Sequence, residues 1–165
     1  MTRDELLDQM TMMRNRFTSY ESYAEAKLED LFSKKEMEGA RQFKIDELNT
    51  VLFTQDPSGK FKTVGLPVEI QYSPLFAAAA FDVDGDGSKE ILLGANIRNA
   101  RLRLGNMDAG YGNMIKFDKA LTARFINAAS TGMWIKGDIR SLVAIGDNIF
   151  AGVRGQAVKY FKINQ

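Results

Sequence analysis

Nine residues near the middle of the chain constrain it most. Asp82-Val-Asp84-Gly-Asp86-Gly-Ser88-Lys-Glu90 places carboxylates at positions 1, 3, 5 and 9 of one short segment. Drawn into a tight loop, four carboxylates repel one another strongly unless a cation lies among them. A hard divalent ion such as Ca²⁺ takes about six to eight oxygens, and alternating carboxylates on a tight loop can wrap it from several sides. Gly85 and Gly87 supply the sharp turns at positive φ where a Cβ would clash. Ser88, at position 7, can offer its main-chain carbonyl. The expected metal ligands are therefore Asp82, Asp84, Asp86, Ser88 and Glu90, and the expected cofactor is Ca²⁺.

An EF-hand shares positions 1, 3 and 5 but needs a bidentate Glu at position 12 and a helix on each side. Position 12 is Leu93, and the flanks Ala77–Phe81 and Ile91–Leu93 read as strands. A polar Asp-Gly turn without metal is the plainer alternative, and four spaced carboxylates with two glycines weigh against it. A strand–loop–strand unit closing at position 9 fits every residue.

Residues 1–41 read as a helical segment. Thr2-x-x-Glu5 has the capping-box spacing, and Ser22-x-x-Glu25 and Ser33-x-x-Glu36 repeat it. Leu6, Met10, Met13, Phe17 and Tyr20 recur at helical steps as one apolar stripe. A second helix is expected with Ala24, Leu28 and Leu31 on one face, and a short third ends near Gly39. The stripe reads as core-facing and carries no chemistry.

From residue 42 to 165 the period changes to that of short strands. Asn49–Thr54 and Lys60–Val64 flank Asp56-Pro-Ser-Gly59, which has the residues of a type I turn. Strands are expected at Leu75–Val83, Ile91–Gly94, Asn113–Phe117, Ala123–Asn127, Ser141–Ile145, Asn148–Val153 and Ala157–Ile163. Gly146-Asp147 and Gly155-Gln156 mark the last tight turns. Many short strands with brief connections predict an antiparallel all-β body.

Composition narrows the chemistry. The 165 residues contain no His and no Cys, which removes the usual proton-transfer group, the commonest transition-metal ligand and the thiol nucleophile. A net charge of +1 gives no electrostatic footprint for nucleic acid. No apolar run reaches the length of a membrane span, and Met1-Thr-Arg-Asp-Glu5 has no signal-peptide pattern.

Phe81-Asp-Val-Asp-Gly-Asp-Gly-Ser-Lys-Glu-Ile-Leu-Leu-Gly94 resembles the repeat of FG-GAP/VCBS proteins, the family of the integrin α-chain propellers. In that family the loop joins the two inner strands of a blade and binds calcium through Asp at positions 1, 3, 5 and 9; here Glu90 stands in the last place. Lys60-Phe-Lys with Leu66-Pro67-Val-Glu69 resembles an outer strand and inter-blade link of bacterial members. Leu104-Gly-Asn-Met-Asp108-Ala-Gly-Tyr111-Gly112 is similar to a segment near their C-terminal end, and the helical start through Leu31-Phe32 to an insertion before their final blades. The resemblance implies a partial β-propeller of about two to three blades, the C-terminal portion of a bacterial member. Gly137-Asp138-Ile-Arg140 falls where a next loop would lie and lacks the repeated acids.

The resemblance further implies a calcium-binding structural or adhesion module. It would lie at the cell surface, in the periplasm or outside the cell in its parent protein, engage a protein or glycan ligand, and not be an enzyme. Two rivals stay open: a carboxylate-dependent polysaccharide-active enzyme fragment, and an intracellular oligomeric binding module. Too few strands to close a ring imply self-association around Asn148–Ile163, or missing blades. Of the remaining residues, Ala77–Ala80 suit close packing better than a channel lining. Arg98, Arg101 and Arg103 read as a solvated cluster with an anion site as the alternative. Trp134, Tyr111 and Tyr72 could stack a sugar but read as core or edge cover, and Asp108 beside Tyr111 is a weak acid–base candidate.

Overall fold

The structure, a computed structural model, describes residues 1–100 and 103–163. The chain divides into two compact units, Met1–Asp46 and Glu47–Gln165.

In the first unit, α1 (Arg3–Gln9) starts on a complete capping box: Thr2 Oγ1 accepts from Glu5 N–H, and the Glu5 carboxylate accepts from Thr2 N–H at 2.8 Å. The single apolar stripe expected through Tyr20 is broken. Met10 leaves helical geometry, a 3-10 turn spans Thr11–Asn15, and α2 covers only Tyr20–Ala24. Arg3 folds the chain back, its Nε donating to Phe17 O at 2.9 Å and its guanidinium lying over the Tyr20 ring. Short helices are marginal alone, so tertiary contacts decide where they end. The stripe is buried nonetheless, with Leu6, Leu7, Met13 and Phe17 forming one cluster.

Ser19, not Ser22, caps α2, and Leu28 and Leu31 fall on a separate one-turn helix, α3 (Leu28–Leu31). Ser33 and Glu36 make their reciprocal hydrogen bonds around a single turn, and no described helix ends near Gly39.

The second unit is built from three antiparallel sheets. β1 (Val51–Gln55) and β2 (Phe61–Gly65) form a hairpin, closed as expected at Asp56–Gly59 by Gly59 N–H donating to Asp56 O at 2.9 Å. A 3-10 turn at Val68–Tyr72 leads into a four-stranded sheet of β3 (Leu75–Phe81), β4 (Glu90–Ala95), β5 (Met114–Phe117) and β6 (Ala123–Ile126) in that order. A short helix, α4 (Ala128–Thr131), precedes a three-stranded sheet of β7 (Ile139–Ile145), β8 (Asn148–Val153) and β9 (Lys159–Lys162). The fold is thus mainly β with an N-terminal helical segment, and no barrel closes among the described residues.

Hairpins β3–β4 and β7–β8 repeat one another. Each pairs a seven-residue strand with a six-residue one, and each skips one residue after the first pair, at Phe76 and at Arg140. A glycine stands opposite the residue after each skip, Gly94 facing Ala77 and Gly152 facing Ser141. Gly94 also lets the sheets approach: a Cβ there would lie 2.6 Å from Ile139 Cγ2.

The main core fills between these sheets with Phe81, Leu92, Met114, Ile135, Ile139, Leu142, Ile149 and Val153. Ala77 and Ala79 pack against it, whereas Ala78 and Ala80 of the same run point outward and are exposed, so the packing role expected of Ala77–Ala80 holds for alternate residues only. On its other face the four-stranded sheet buries Leu93 and Ile115 with Ile70, so β4 is covered on both sides. β4 is thus the buried strand of the hairpin whose loop joins β3 to β4.

Candidate metal centre

β3 ends at Phe81, two residues earlier than the sequence suggests, because Asp82 turns the chain with its own carboxylate. Asp82 Oδ1 accepts from Gly85 N–H and Oδ2 from Gly87 N–H, both at 2.8 Å. Both glycines lie at positive φ, 72° and 83°, where a side chain would strain the turn. Asp86 Oδ1 in turn accepts from Ser88 N–H.

These bonds coil the loop so that one carboxylate oxygen each from Asp82, Asp84 and Asp86 lie within 4.8 Å of one another, a group able to hold a metal ion.

Glu90 behaves differently from the three aspartates. It is fully buried at the first position of β4, and its Oε2 accepts from Val83 N–H at 2.9 Å. Its Oε1 is buried and is paired with the ammonium of Lys116 at 2.9 Å. Lys116 Nζ also lies 2.8 Å from Asp84 Oδ2 and 2.7 Å from Asp86 Oδ2. Asp84, Asp86 and Glu90, in that order, hold the Lys116 ammonium above its usual pKa. Lys116, and then Ser88 N–H, hold the Asp86 carboxyl below its usual value.

Lys116 is the residue that the sequence did not reveal. It lies on β5, 26 positions beyond Glu90, and nothing local marks it. The register supplies the signal: Ile91 pairs with Ile115, so the next step brings Lys116 opposite Glu90. One ammonium offsets one of four carboxylates, and a divalent ion would offset two.

The other candidates are placed as follows. Arg98 Nε lies 3.6 Å from Asp108 Oδ2, while Arg101 is outside the described residues. Tyr111 is stacked on Trp134, with ring centroids 4.4 Å apart. Asp138 lines no acidic loop; its Oδ2 lies 3.3 Å from Arg140 Nη2. Among the described residues no helix is long and apolar enough to cross a membrane. Comparison with protein-family models, with curated proteins and with solved structures finds no match to this chain.

Proposed function

We propose that the β3–β4 loop binds Ca²⁺ and that the protein is a calcium-held structural or adhesion module of FG-GAP/VCBS type, working at the cell surface or outside the cytoplasm. The observation that carries this is the donor set. One oxygen each from three aspartates lie close together, and beside them the buried Glu90 Oε1 has the Lys116 ammonium at 2.9 Å as its counter-charge. Four carboxylates gathered around one ammonium leave an excess of negative charge that a divalent cation would offset. Asp82, Asp84, Asp86 and Glu90 would supply carboxylate oxygens, with Ser88 adding its carbonyl. The ion would provide the positive charge that keeps the loop coiled.

The repetition of hairpin β3–β4 as hairpin β7–β8 supports a reading in blades. A two-stranded hairpin, a four-stranded sheet and a three-stranded sheet are what an open run of propeller blades would contain. No catalytic role is assigned, because the sequence lacks His and Cys and its densest acids are committed to the loop. The rival enzyme reading requires hydrolysis of a polysaccharide that is lost on replacing an acid outside 82–90.

Lys116 favours a second reading in which the loop is closed by its own ammonium and takes no metal. Titration calorimetry separates the two. Calcium binding with a stoichiometry of one, abolished in Asp84→Ala, supports the calcium reading. An affinity as weak as about 10⁻⁴–10⁻³ M suffices outside the cell. No heat in the wild type leaves the Lys116-closed loop.

A further inference from the structure

A second site lies away from the acidic loop. We propose that the cleft between the 3-10 turn at Val68–Tyr72 and the segment following α4 binds the pyranose ring of an uncharged glycan. The cleft encloses about 440 Å³ and is lined by Tyr72, Tyr111 and Trp134 with Glu69, Asn113 and Asn127 around them. That volume falls within the usual range of small-ligand sites, which combine apolar or aromatic walls with a few polar groups.

The aromatics are presented rather than packed away. Tyr111 stacks on Trp134 at an interplanar angle of 14°, yet Trp134 remains 52% and Tyr72 59% exposed. Large aromatic surface left in water is costly, and in a soluble protein it marks a binding surface when several rings share one concavity. The stacked pair also fixes the indole plane, so little side-chain freedom remains to be lost on binding.

The polar groups choose the ligand. The hydroxyl of Tyr72, the indole N–H of Trp134, the Glu69 carboxylate and the Asn113 amide make no hydrogen bond to the described protein. Donors and acceptors without protein partners, set around a ring platform, match a pyranose, which has an apolar C–H face and a rim of hydroxyls. A purely apolar ligand would leave these groups desolvated and unpaired. The lining includes one carboxylate and no Lys or Arg, which disfavours phosphorylated, sulfated and uronic-acid ligands. A neutral or N-acetylated sugar fits, and the proposal stands whether or not calcium binds the loop.

Trp134 is the protein's single tryptophan, so its fluorescence reports on this cleft alone. The full chain is titrated with the hexasaccharides of cellulose, chitin, mannan and β-1,3-glucan, with oligogalacturonate and a proline-rich peptide as controls. At least one neutral oligosaccharide should change Trp134 emission saturably, and oligogalacturonate should not. In calorimetry, Tyr72→Ala and Trp134→Ala each weaken that binding by at least about tenfold, the scale of losing an aromatic anchor. Tyr72 is mostly exposed, so its truncation should leave the melting temperature unchanged, which a thermal melt of the variant checks. Affinity that rises with chain length identifies a polysaccharide, and equal affinity for the monosaccharide identifies a free sugar. No saturable change with any neutral sugar, binding unaffected in Tyr72→Ala, or a response to the peptide alone overturns the proposal.

Discussion

Hairpins β3–β4 and β7–β8 share strand lengths, a skipped residue in the first strand and a facing glycine, yet differ in how they are closed. The second closes in two residues, Gly146 and Asp147, with Ile145 paired directly to Asn148. The first spends residues 82–89 on the same reversal between Phe81 and Glu90. A two-residue turn sets the register by its own backbone geometry. The longer acidic loop has no such economy; it costs more closure entropy and gathers like charges. The difference teaches that one scaffold can hold a hairpin closed by two residues beside one whose longer turn gathers a group of carboxylates able to hold a metal ion.

Asp82→Ala should separate the hairpins most. Asp82 accepts two loop N–H groups as well as belonging to the acidic group, so its loss acts with or without metal. Losing those hydrogen bonds should cost on the order of 1–3 kcal/mol. The added stability from calcium, about 2.7 kcal/mol at a hundredfold excess over Kd, should vanish too. Thermal melts of wild type and variant, in calcium and in EDTA, measure both terms. A calcium-induced rise in Tm that survives in Asp82→Ala would contradict the assignment.

The sheets also differ in what covers them. β4 is buried on both faces, but the three-stranded sheet presents a cross-strand row of Val143, Phe150 and Tyr160. Val143 is 49% and Tyr160 55% exposed. Such an exposed apolar row should drive self-association at micromolar concentration. Light scattering should show a mass that rises with concentration, and Val143→Lys with Tyr160→Lys should return the monomer. A concentration-independent monomer in the wild type removes this part of the account.

Lys116→Met should sharpen the comparison in the opposite direction. With the ammonium gone, calcium no longer competes with an internal cation for Asp84, Asp86 and Glu90. Calcium affinity should rise by at least about threefold, while the EDTA-treated protein melts lower because buried Glu90 loses its counter-charge. Unchanged affinity in calorimetry would mean that Lys116 does not share the ion's position.

How far the sequence reached depends on whether a feature is local. The Asp56–Gly59 turn, the Thr2 capping box and the coiling of Asp82–Gly87 are set by residues a few positions apart, and their chemistry is readable in order along the chain. The strand positions follow for the same reason, with ends shifted by a residue or two where side chains such as Asp82 turn the backbone. What was hidden is non-local. Lys116 reaches the loop only through the β4–β5 register, and Arg3 reaches Phe17 O only because the chain turns back after Met10. Tyr72, Tyr111 and Trp134 stand in one cleft because three connections converge. The one-turn helix α4 was missed because Ala128–Thr131 is too short to show a period.

The smallest effect belongs to the β1–β2 turn, a control with no part in calcium binding. Ser58 Oγ–H, then the N–H groups of Lys60 and Ser58, hold the Asp56 carboxyl below its ordinary value. A depressed folded-state pKa contributes stability above the unfolded value of about 3.9 and loses it as pH falls through the folded one. Ser58 and Lys60 amide shifts should therefore stay constant from neutral pH down to about 4 and move only below it, identically with calcium or EDTA. Calcium-dependent movement there would show that the metal acts on more than its own hairpin.

Amide hydrogen exchange with and without calcium tests the central contrast most directly, since it reads both hairpins in one sample. Calcium should slow exchange at Val83, Gly85, Gly87 and Ser88, and leave the paired amides of β7–β8 unchanged. Equal protection of the acidic loop in calcium and in EDTA, or a calcium effect of the same size across both hairpins, would contradict a cation-held loop.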